Sequence, residues 1–144
     1  MIITLKVTLV RGLYAKHAWS AEIELDDSST LDVLHNSIQD AVSFDNDHLY
    51  CFFRSRTDRS RTRELFDDEN GRIWETKLSD MFPLPPKQGL FYLFDWGDEW
   101  VFKISPSRKK PHQAQKGVEY PRVTSESGTK PVQYPDPDEE YDEE

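Results

Sequence analysis

Five arginines lie within ten residues of this chain, and their chemistry is that of anion binding. They are Arg54, Arg56, Arg59, Arg61 and Arg63, interleaved with serine, threonine and one aspartate. A guanidinium group pairs with a phosphate or carboxylate through two parallel hydrogen bonds, so a flexible loop that carries several is a candidate anion site. The alternative is a solvated loop without a ligand. If the run binds nucleic acid, its contacts fall mainly on the phosphate backbone and weaken steeply with salt.

A second group of chemically active side chains lies in one short segment between two apolar runs. Its carboxylates are Asp95, Asp98 and Glu99. Paired carboxylates can bind a cation or perform acid–base chemistry. Turn chemistry explains the same residues, because aspartates accept hydrogen bonds from nearby backbone N–H groups and Gly97 would supply a positive φ angle. Trp96 at the tip of such a turn indicates either a surface for a partner or packing by the segment 120–134.

Other polar residues predict neither an enzyme nor a bound metal or cofactor. The histidines are His17, His35, His48 and His112. Together with Asp45 and Asp47 they could ligate a metal, but they lack the short fixed offsets of metal motifs. Phosphate-binding loops and nucleophile elbows are missing from the sequence, and the single cysteine, Cys51, lies in an apolar run typical of a buried strand. We therefore expect no catalytic, metal-binding or cofactor-binding residues.

Regular patterns of apolar residues predict the elements that would position these groups. Two strands are predicted at 3–9 and 19–25, followed by an amphipathic helix from about residue 31 to 43. The run 48–53 is apolar on both faces and predicts a covered central strand. Aromatic runs on either side of the aspartate-rich turn predict a hairpin. The arginine run, residues 54–63, is predicted to be an exposed and mobile loop.

Composition and charge indicate one domain with an acidic end. The 144 residues carry a net charge of −9, but residues 136–144 contain seven carboxylates and no lysine or arginine, which leaves −2 on the rest. We expect a single domain over 1–134 and a disordered acidic tail over 135–144. The tail provides solubility, folds back onto the arginines or contacts a basic partner. Without a signal segment or a membrane-spanning run, we expect a cytoplasmic protein.

Several motifs, in this order, are similar to those of one known family. They are Leu34-His35, His48-Leu49-Tyr50 with Phe52, the run from Tyr92 to Trp100, and a closing segment with Tyr120-Pro121-Arg122-Val123, Gly128, Pro131, Gln133 and Tyr134. Together they resemble the Ri-plasmid ORF-three-like family. The resemblance implies a small mixed β-sheet in an α+β roll with one main helix. Members are sometimes labelled resolvase-like or mobile-element passenger proteins.

Two departures from the family pattern bear on chemistry. Typical members continue the Gly-Asp-Asp-Trp motif with Glu-His, whereas this chain has Val101 and Phe102 at those positions. The resemblance therefore implies no acid–base or metal-binding pair here. Many members also end in a cysteine-containing segment that this chain lacks, so the zinc ligands of such a segment are missing.

The order strand–strand–helix–strand–hairpin predicts an α+β domain whose first half is β-grasp-like. We expect a non-enzymatic protein–protein interaction module, in a plasmid or mobile-element context, that presents Trp96 and the charged segments to a protein partner. The alternative is a nucleic-acid-associated accessory protein that binds phosphate through the arginine run. Replacing Arg56, Arg59 and Arg61 by serine would then abolish a salt-sensitive binding. The sequence leaves the identity of the partner and the oligomeric state open.

Overall fold

Alternating apolar and polar residues build a seven-stranded sheet in the computed structural model, which describes residues 1–136. The strands are β1 (Ile2–Arg11), β2 (Trp19–Asp26), β3 (Tyr50–Ser55), β4 (Glu64–Phe66), β5 (Gly89–Phe94), β6 (Trp100–Pro106) and β7 (Arg122–Gly128). The helices are α1 (Leu31–Val42), α2 (Arg72–Glu75) and α3 (Leu78–Met81). The combination of one sheet with separate helices confirms the predicted α+β class.

Neighbouring strands of the sheet are all antiparallel, in the order β4-β3-β5-β6-β1-β2-β7. The expectation of a mixed sheet is therefore wrong. Helix α1 does connect two strands of the same direction, β2 and β3, but β1, β6 and β5 lie between them, so no parallel pair forms. The first half has the predicted order of elements but no β-grasp-like sheet of its own, because β3 pairs with β4 and β5.

Helix α1 covers one face of the sheet, which we call the helix face. Leu34 and Ile38 recur at helical spacing, and both are fully buried against the strands. The large side chains beneath them are Trp19, Phe52, Tyr92, Phe94, Trp100 and Phe102. The helix ends at Ser43, which adopts the left-handed conformation with φ 59° and donates its N–H to the carbonyl oxygen of Asp40. This face holds the main core.

The opposite face, which we call the loop face, carries a much smaller apolar cluster. It consists of Cys51, Phe53, Phe91 and Val101, with Leu93 packed against it. The arginine run covers this cluster, since the guanidinium of Arg63 lies 4.1 Å from the centroid of the Phe53 ring. Along β2 the same face is polar, and Glu22 and Glu24 pair there with Lys109 and Arg122.

The segment after β6 adds a strand that sequence patterns do not indicate. Strand β7 pairs with β2, although all seven of its residues are exposed. Gly128 ends this strand with φ 85°, and a Cβ atom there would lie only 2.1 Å from the carbonyl oxygen of Ala18. Only glycine fits such a close approach. The closing segment thus extends the sheet instead of forming a second core.

The sequence also predicts that the chain has no membrane-spanning run and that its acidic tail is disordered. Within residues 1–136, no helix is both long enough and apolar enough to cross a membrane. The predicted acidic tail begins at residue 135, and its residues 137–144 lie outside the described part of the chain. The prediction of a disordered tail stays a prediction.

Candidate functional site

The turn between β5 and β6, residues 95–99, is held together by Asp95. The buried carboxylate accepts hydrogen bonds from the backbone N–H groups of Gly97 at 3.0 Å and Asp98 at 3.4 Å. The carbonyl oxygen of the same residue accepts the N–H of Glu99 at 2.7 Å. The positive φ predicted for Gly97 is wrong, because Asp95 at 66° and Glu99 at 50° adopt the left-handed conformation instead. An aspartate tolerates this conformation because its short side chain bonds locally.

Exposed apolar side chains from three segments border this turn. Trp96 at the tip is 52% exposed, and Leu13 and Leu49 are exposed as well. The N–H of Asp95 donates to the carbonyl oxygen of Leu49 at 3.0 Å, and the N–H of Leu13 donates to that of Asp98 at 2.8 Å. These bonds fix both leucine segments beside the turn. We call Leu13, Leu49, Trp96 and the carboxylate of Asp98 the turn-end surface.

A pocket of about 240 Å³ beside the turn brings together predicted site residues from two distant segments. Arg59 of the arginine run lines it together with Asp98 and Glu99. Arg11, at the end of β1, joins the two segments: its Nη1 lies 3.3 Å from Glu99 Oε2, and its Nε lies 3.0 Å from Asp58 Oδ2. Sequence reasoning missed Arg11, because a single arginine at a strand end gives no local signal of its partners.

Asp98 has an unusual environment among these carboxylates. Desolvation and the charge of neighbouring Asp95 raise its pKa, and His48 opposes this shift. Its side chain accepts no hydrogen bond from the described part of the chain, whereas Asp95 and Glu99 both have partners. A positive charge brought close to Asp98 would therefore stabilise its ionised form.

A buried polar network fixes the loop between α1 and β3. Through Nδ1, His35 of α1 bonds the hydroxyl of Tyr92 at 2.5 Å, and through Nε2 it bonds the side-chain oxygen of Asn46 at 2.8 Å. The His35 ring also stacks on Tyr50, with ring centroids 3.5 Å apart. Gln39 donates to the Tyr92 hydroxyl at 2.9 Å. Burial lowers the pKa of His35 to about 4, so its imidazole is neutral at pH 7.

The closing segment of the chain holds the same loop from outside. Gln133 accepts the backbone N–H of Asp45 at 2.7 Å and donates to the carboxylate of Asp47 at 2.8 Å. The hydroxyl of Tyr134 donates to Asp47 at 2.6 Å and lies 2.7 Å from Nε2 of His48. The bond to Asp47 raises the pKa of Tyr134 to about 12. The loop that leads to the turn-end surface is thus held from both sides.

Two of the five arginines have structural partners. Arg54 belongs to β3 and pairs with Glu64 of β4, which also binds Arg72 at 2.8 Å. Arg63 stacks on Phe53 and donates hydrogen bonds to two carbonyl oxygens within the arginine run. The structure therefore uses both of these predicted site residues to hold the run against the sheet.

The other three arginines lie in two different pockets. Arg56 and Arg61 are exposed and form no ion pair with any residue among 1–136. They line an open groove of about 770 Å³, whose walls include Ser60, Thr62 and Gln88 as well as the two structural arginines. We call it the arginine groove. Arg59 does not line it; this side chain lies in the pocket beside the turn, with Nε 4.0 Å from Asp58.

Metal ligands and nucleophiles are the remaining chemically active side chains of residues 1–136. Among residues 1–136, no three histidine, cysteine or carboxylate side chains are grouped so that they could hold a metal ion. His48 is bonded to the closing segment, and His112 lies 3.1 Å from Glu24. Cys51 is buried on the loop face, and burial raises its pKa to about 12, so its reactive thiolate form is disfavoured.

Comparison with known families matches residues 1–135 to the family described as plasmid pRiA4b ORF-3-like protein. The chain belongs to this family. The resemblance drawn from the sequence motifs is thereby confirmed. Among solved structures, a protein of unknown function, MM3350 from Methanosarcina mazei Go1, has a similar fold, with a TM-score of 0.69 and 24% sequence identity. The similarity covers 87% of this chain and 68% of that one. No curated protein matches the chain.

In this ORF-3-like protein, residues from several of the motifs that carried the resemblance meet around one loop, whereas Arg122, Val123 and Gly128 of the closing motif pair with β2. His35, Tyr92 and Tyr134 come from separate motifs, and all of them contact the loop between α1 and β3 or the residues that hold it. The turn with Trp96 belongs to a further motif and is hydrogen-bonded to the end of that loop. The arginine run lies in none of these motifs. Part of the family pattern therefore lies in residues that hold this loop.

Proposed function

We propose that this ORF-3-like protein is a non-enzymatic interaction module, in a plasmid or mobile-element context, whose turn-end surface binds a protein partner. One observation carries the proposal: a half-exposed Trp96 is fixed on a turn beside the exposed Leu13 and Leu49. Single exposed apolar residues are ordinary, but a group of them around a fixed turn is typical of an interaction site. Tryptophan is also enriched among the residues that dominate binding energies.

The rigidity of the surrounding segments supports this function. Asp95 closes the turn through three hydrogen bonds, and the adjoining loop is held by the His35 network on one side and by Tyr134 on the other. A surface that is already ordered loses little conformational entropy when a partner binds. The turn-end surface is therefore suited to binding without rearrangement.

The carboxylate of Asp98 indicates the chemistry of the partner. Desolvation and Asp95 raise its pKa, so a lysine or arginine of the partner would relieve the repulsion between these two groups. The same cation would be attracted to the face of the neighbouring indole ring of Trp96. The partner segment is thus expected to present an apolar residue next to a basic one.

The test compares two exposed tryptophans. Tagged full-length chain is used to purify partners from a nuclease-treated native lysate, and the captured proteins are quantified for wild type, Trp96→Ser and Trp74→Ser. Trp74 on α2 is the matched control, since it is 57% exposed and lies outside the turn-end surface. A specific partner should be recovered about thirtyfold less with Trp96→Ser, because truncating a central tryptophan costs roughly 2 kcal/mol or more. Trp74→Ser should recover it normally.

The purified partner is then used to test whether one of its basic residues pairs with Asp98. In titration calorimetry, Asp98→Asn should weaken binding by about threefold, since an exposed or half-buried charge pair contributes on the order of 0.5–1 kcal/mol. If no captured protein distinguishes Trp96→Ser from Trp74→Ser, the proposed surface is wrong. A partner that depends on Trp96 but binds Asp98→Asn equally well contradicts the basic character assigned to it.

A further inference from the structure

The arginine groove lies apart from the turn-end surface and has a different chemistry. We propose that this groove binds the phosphodiester backbone of single-stranded nucleic acid through Arg56 and Arg61. This activity goes beyond the proposed protein interaction, because it uses other residues and another class of ligand. It also assigns separate tasks to arginines that the sequence presents as one uniform run.

The two guanidinium groups assigned to the ligand are unoccupied by acidic partners. Arg56 and Arg61 are exposed, and no carboxylate of residues 1–136 pairs with either. The hydroxyls of Ser60 and Thr62 and the amide of Gln88 line the same groove and can donate hydrogen bonds to phosphate oxygens. Arginine binds phosphate or carboxylate through paired hydrogen bonds, so this lining matches an anionic ligand better than a neutral one.

The only carboxylate among the residues that line the groove is already neutralised. Glu64 Oε2 lies 2.8 Å from Arg72, and its other oxygen bonds Arg54. Hydrogen bonds from Arg72 and Arg54 lower the pKa of Glu64, which shows that its charge is stabilised within this triad. The electrostatic potential of the groove is therefore set by the arginines.

The loop that carries Arg56 and Arg61 contains several hydrogen bonds of its own. Ser55 Oγ donates to the carbonyl oxygen of Thr57 at 2.6 Å, and the N–H of Thr57 donates to Ser60 Oγ at 3.0 Å. Arg63 donates to the carbonyl oxygens of Ser60 at 2.7 Å and Asp58 at 2.9 Å. Arg63 is thus a positioning residue that ties the loop to the sheet, and it holds the backbone that carries Arg56 and Arg61 in place.

The size of the groove favours a strand with repeating phosphates. Its volume of about 770 Å³ falls in the range of sites for drug-sized ligands, so it holds more than one phosphate group. Two cations in one groove can each contact a phosphate of the same backbone. A concave groove also receives a flexible single strand more readily than the convex surface of a duplex. A single-stranded nucleic acid fits these features better than one phosphorylated side chain.

The test uses Arg59 as a matched control within the same loop. Full-length wild type, Arg56→Ser/Arg61→Ser and Arg59→Ser are titrated against a fluorescent single-stranded oligonucleotide of about 20 nucleotides, with polarisation read between 50 and 200 mM salt. The double variant should bind about tenfold more weakly at low salt, because two solvent-exposed ion pairs with phosphates are lost. Its slope of log K against log salt should become shallower by about 1.4, at roughly 0.7 per phosphate contact. Arg59→Ser should change affinity by less than about twofold, since Arg59 faces another pocket.

Several results would overturn the proposal. One is a wild-type protein that does not bind the oligonucleotide at low salt, and another is a double variant that binds it as tightly as wild type does. Equal losses in Arg59→Ser and the double variant would mean that general charge, not the groove, attracts the ligand. A phosphoserine peptide that displaces the oligonucleotide at lower concentration would identify a phosphoprotein ligand instead. Trp96→Ser should bind the oligonucleotide normally, so failure of the turn-end surface and failure of the groove are distinguishable.

Discussion

The helix face of the sheet is closed by apolar packing, whereas the loop face is closed by charged groups. Leu34 and Ile38 of α1 are fully buried over the aromatic residues of the helix face. On the loop face, the guanidinium of Arg63 covers Phe53, and Arg11 holds the loop through Asp58. An arginine can cover apolar surface with its stem and ring plane while its charge stays hydrated.

The difference shows how one segment can stabilise the fold and remain open to a ligand. Apolar packing is lost only when the helix leaves the sheet, so the helix face opens by unfolding. A stacked arginine held by hydrogen bonds separates more easily, because it leaves few apolar contacts behind. The loop face is therefore suited to carry a binding site, and the helix face to supply stability.

The largest expected difference between the two faces comes from truncating one leucine to alanine on each of them. Leu34→Ala should lower the free energy of unfolding by about 3 kcal/mol, within the roughly 2–5 kcal/mol observed for buried leucines. Leu93→Ala, in the half-buried rim of the loop-face cluster, should cost about 1 kcal/mol, because less surface returns to water. Urea denaturation followed by circular dichroism measures both values. Equal losses would show that the two faces are equally well packed.

The next largest effect is the pH dependence of stability that the buried His35 causes on the helix face. Burial lowers the pKa of His35 from 6.5 to about 4, and the bond to Asn46 and the charge of Asp32 oppose the shift. The unfolded chain therefore binds more protons than the folded one between these values. The contribution of the neutral imidazole is fully present above pH 6.5 and is lost as the pH falls toward 4. It amounts to about 3 kcal/mol, at roughly 1.4 kcal/mol per pKa unit.

Variants of two histidines isolate this contribution. The free energy of unfolding is measured from pH 7 to pH 4 for wild type, His35→Gln and His17→Gln. His35→Gln should be less stable at pH 7 and should lose less stability as the pH falls. His17→Gln removes an exposed histidine and should follow the wild-type curve. A slope for His35→Gln that equals the wild-type slope would show that carboxylates alone cause the acid sensitivity.

Strong local patterns were sufficient to predict much of the fold. The alternation in β1 and β2, the helical spacing of α1 and the aromatic hairpin of β5 and β6 all lie close to their predicted positions. The antiparallel order could not be predicted, since it depends on which strands fill the space between β2 and β3. Strand β7 escaped prediction because its residues are all exposed and carry no apolar alternation.

For the candidate sites, too, the sequence indicated residues that are close together along the chain but not the contacts between distant segments. Trp96, Asp98 and Glu99 could be named from the sequence because one turn contains them. Arg11 is 88 residues from Glu99 and 47 from Asp58, and only the folded sheet brings these groups together. The division of the arginine run likewise depends on tertiary contacts, since the stacking of Arg63 requires Phe53 on the loop face.

The last comparison of stability is between two arginines of the arginine run, one stacked on the loop face and one exposed. Arg63→Ser removes a cation–π contact and two hydrogen bonds to loop carbonyl oxygens, and should cost about 1–2 kcal/mol. Arg61→Ser removes the same charge from the same loop, but its side chain is exposed, so the free energy of unfolding should change by less than about 0.5 kcal/mol. Urea denaturation of both variants measures this difference.

The reactivity of Cys51 measures whether the arginine run can move away from the loop face while the sheet stays folded. Burial, and to a lesser degree the charge of Asp67, raises the pKa of its thiol to about 12, so the folded protein should react with a disulfide reagent only when the loop face opens. If the arginine run is a separate cover, Arg63→Ser should speed labelling of Cys51 by about tenfold, as expected for roughly 1.4 kcal/mol of opening energy. Arg61→Ser should label at the wild-type rate. Labelling that follows global unfolding in every variant would show instead that the loop face opens only together with the helix face.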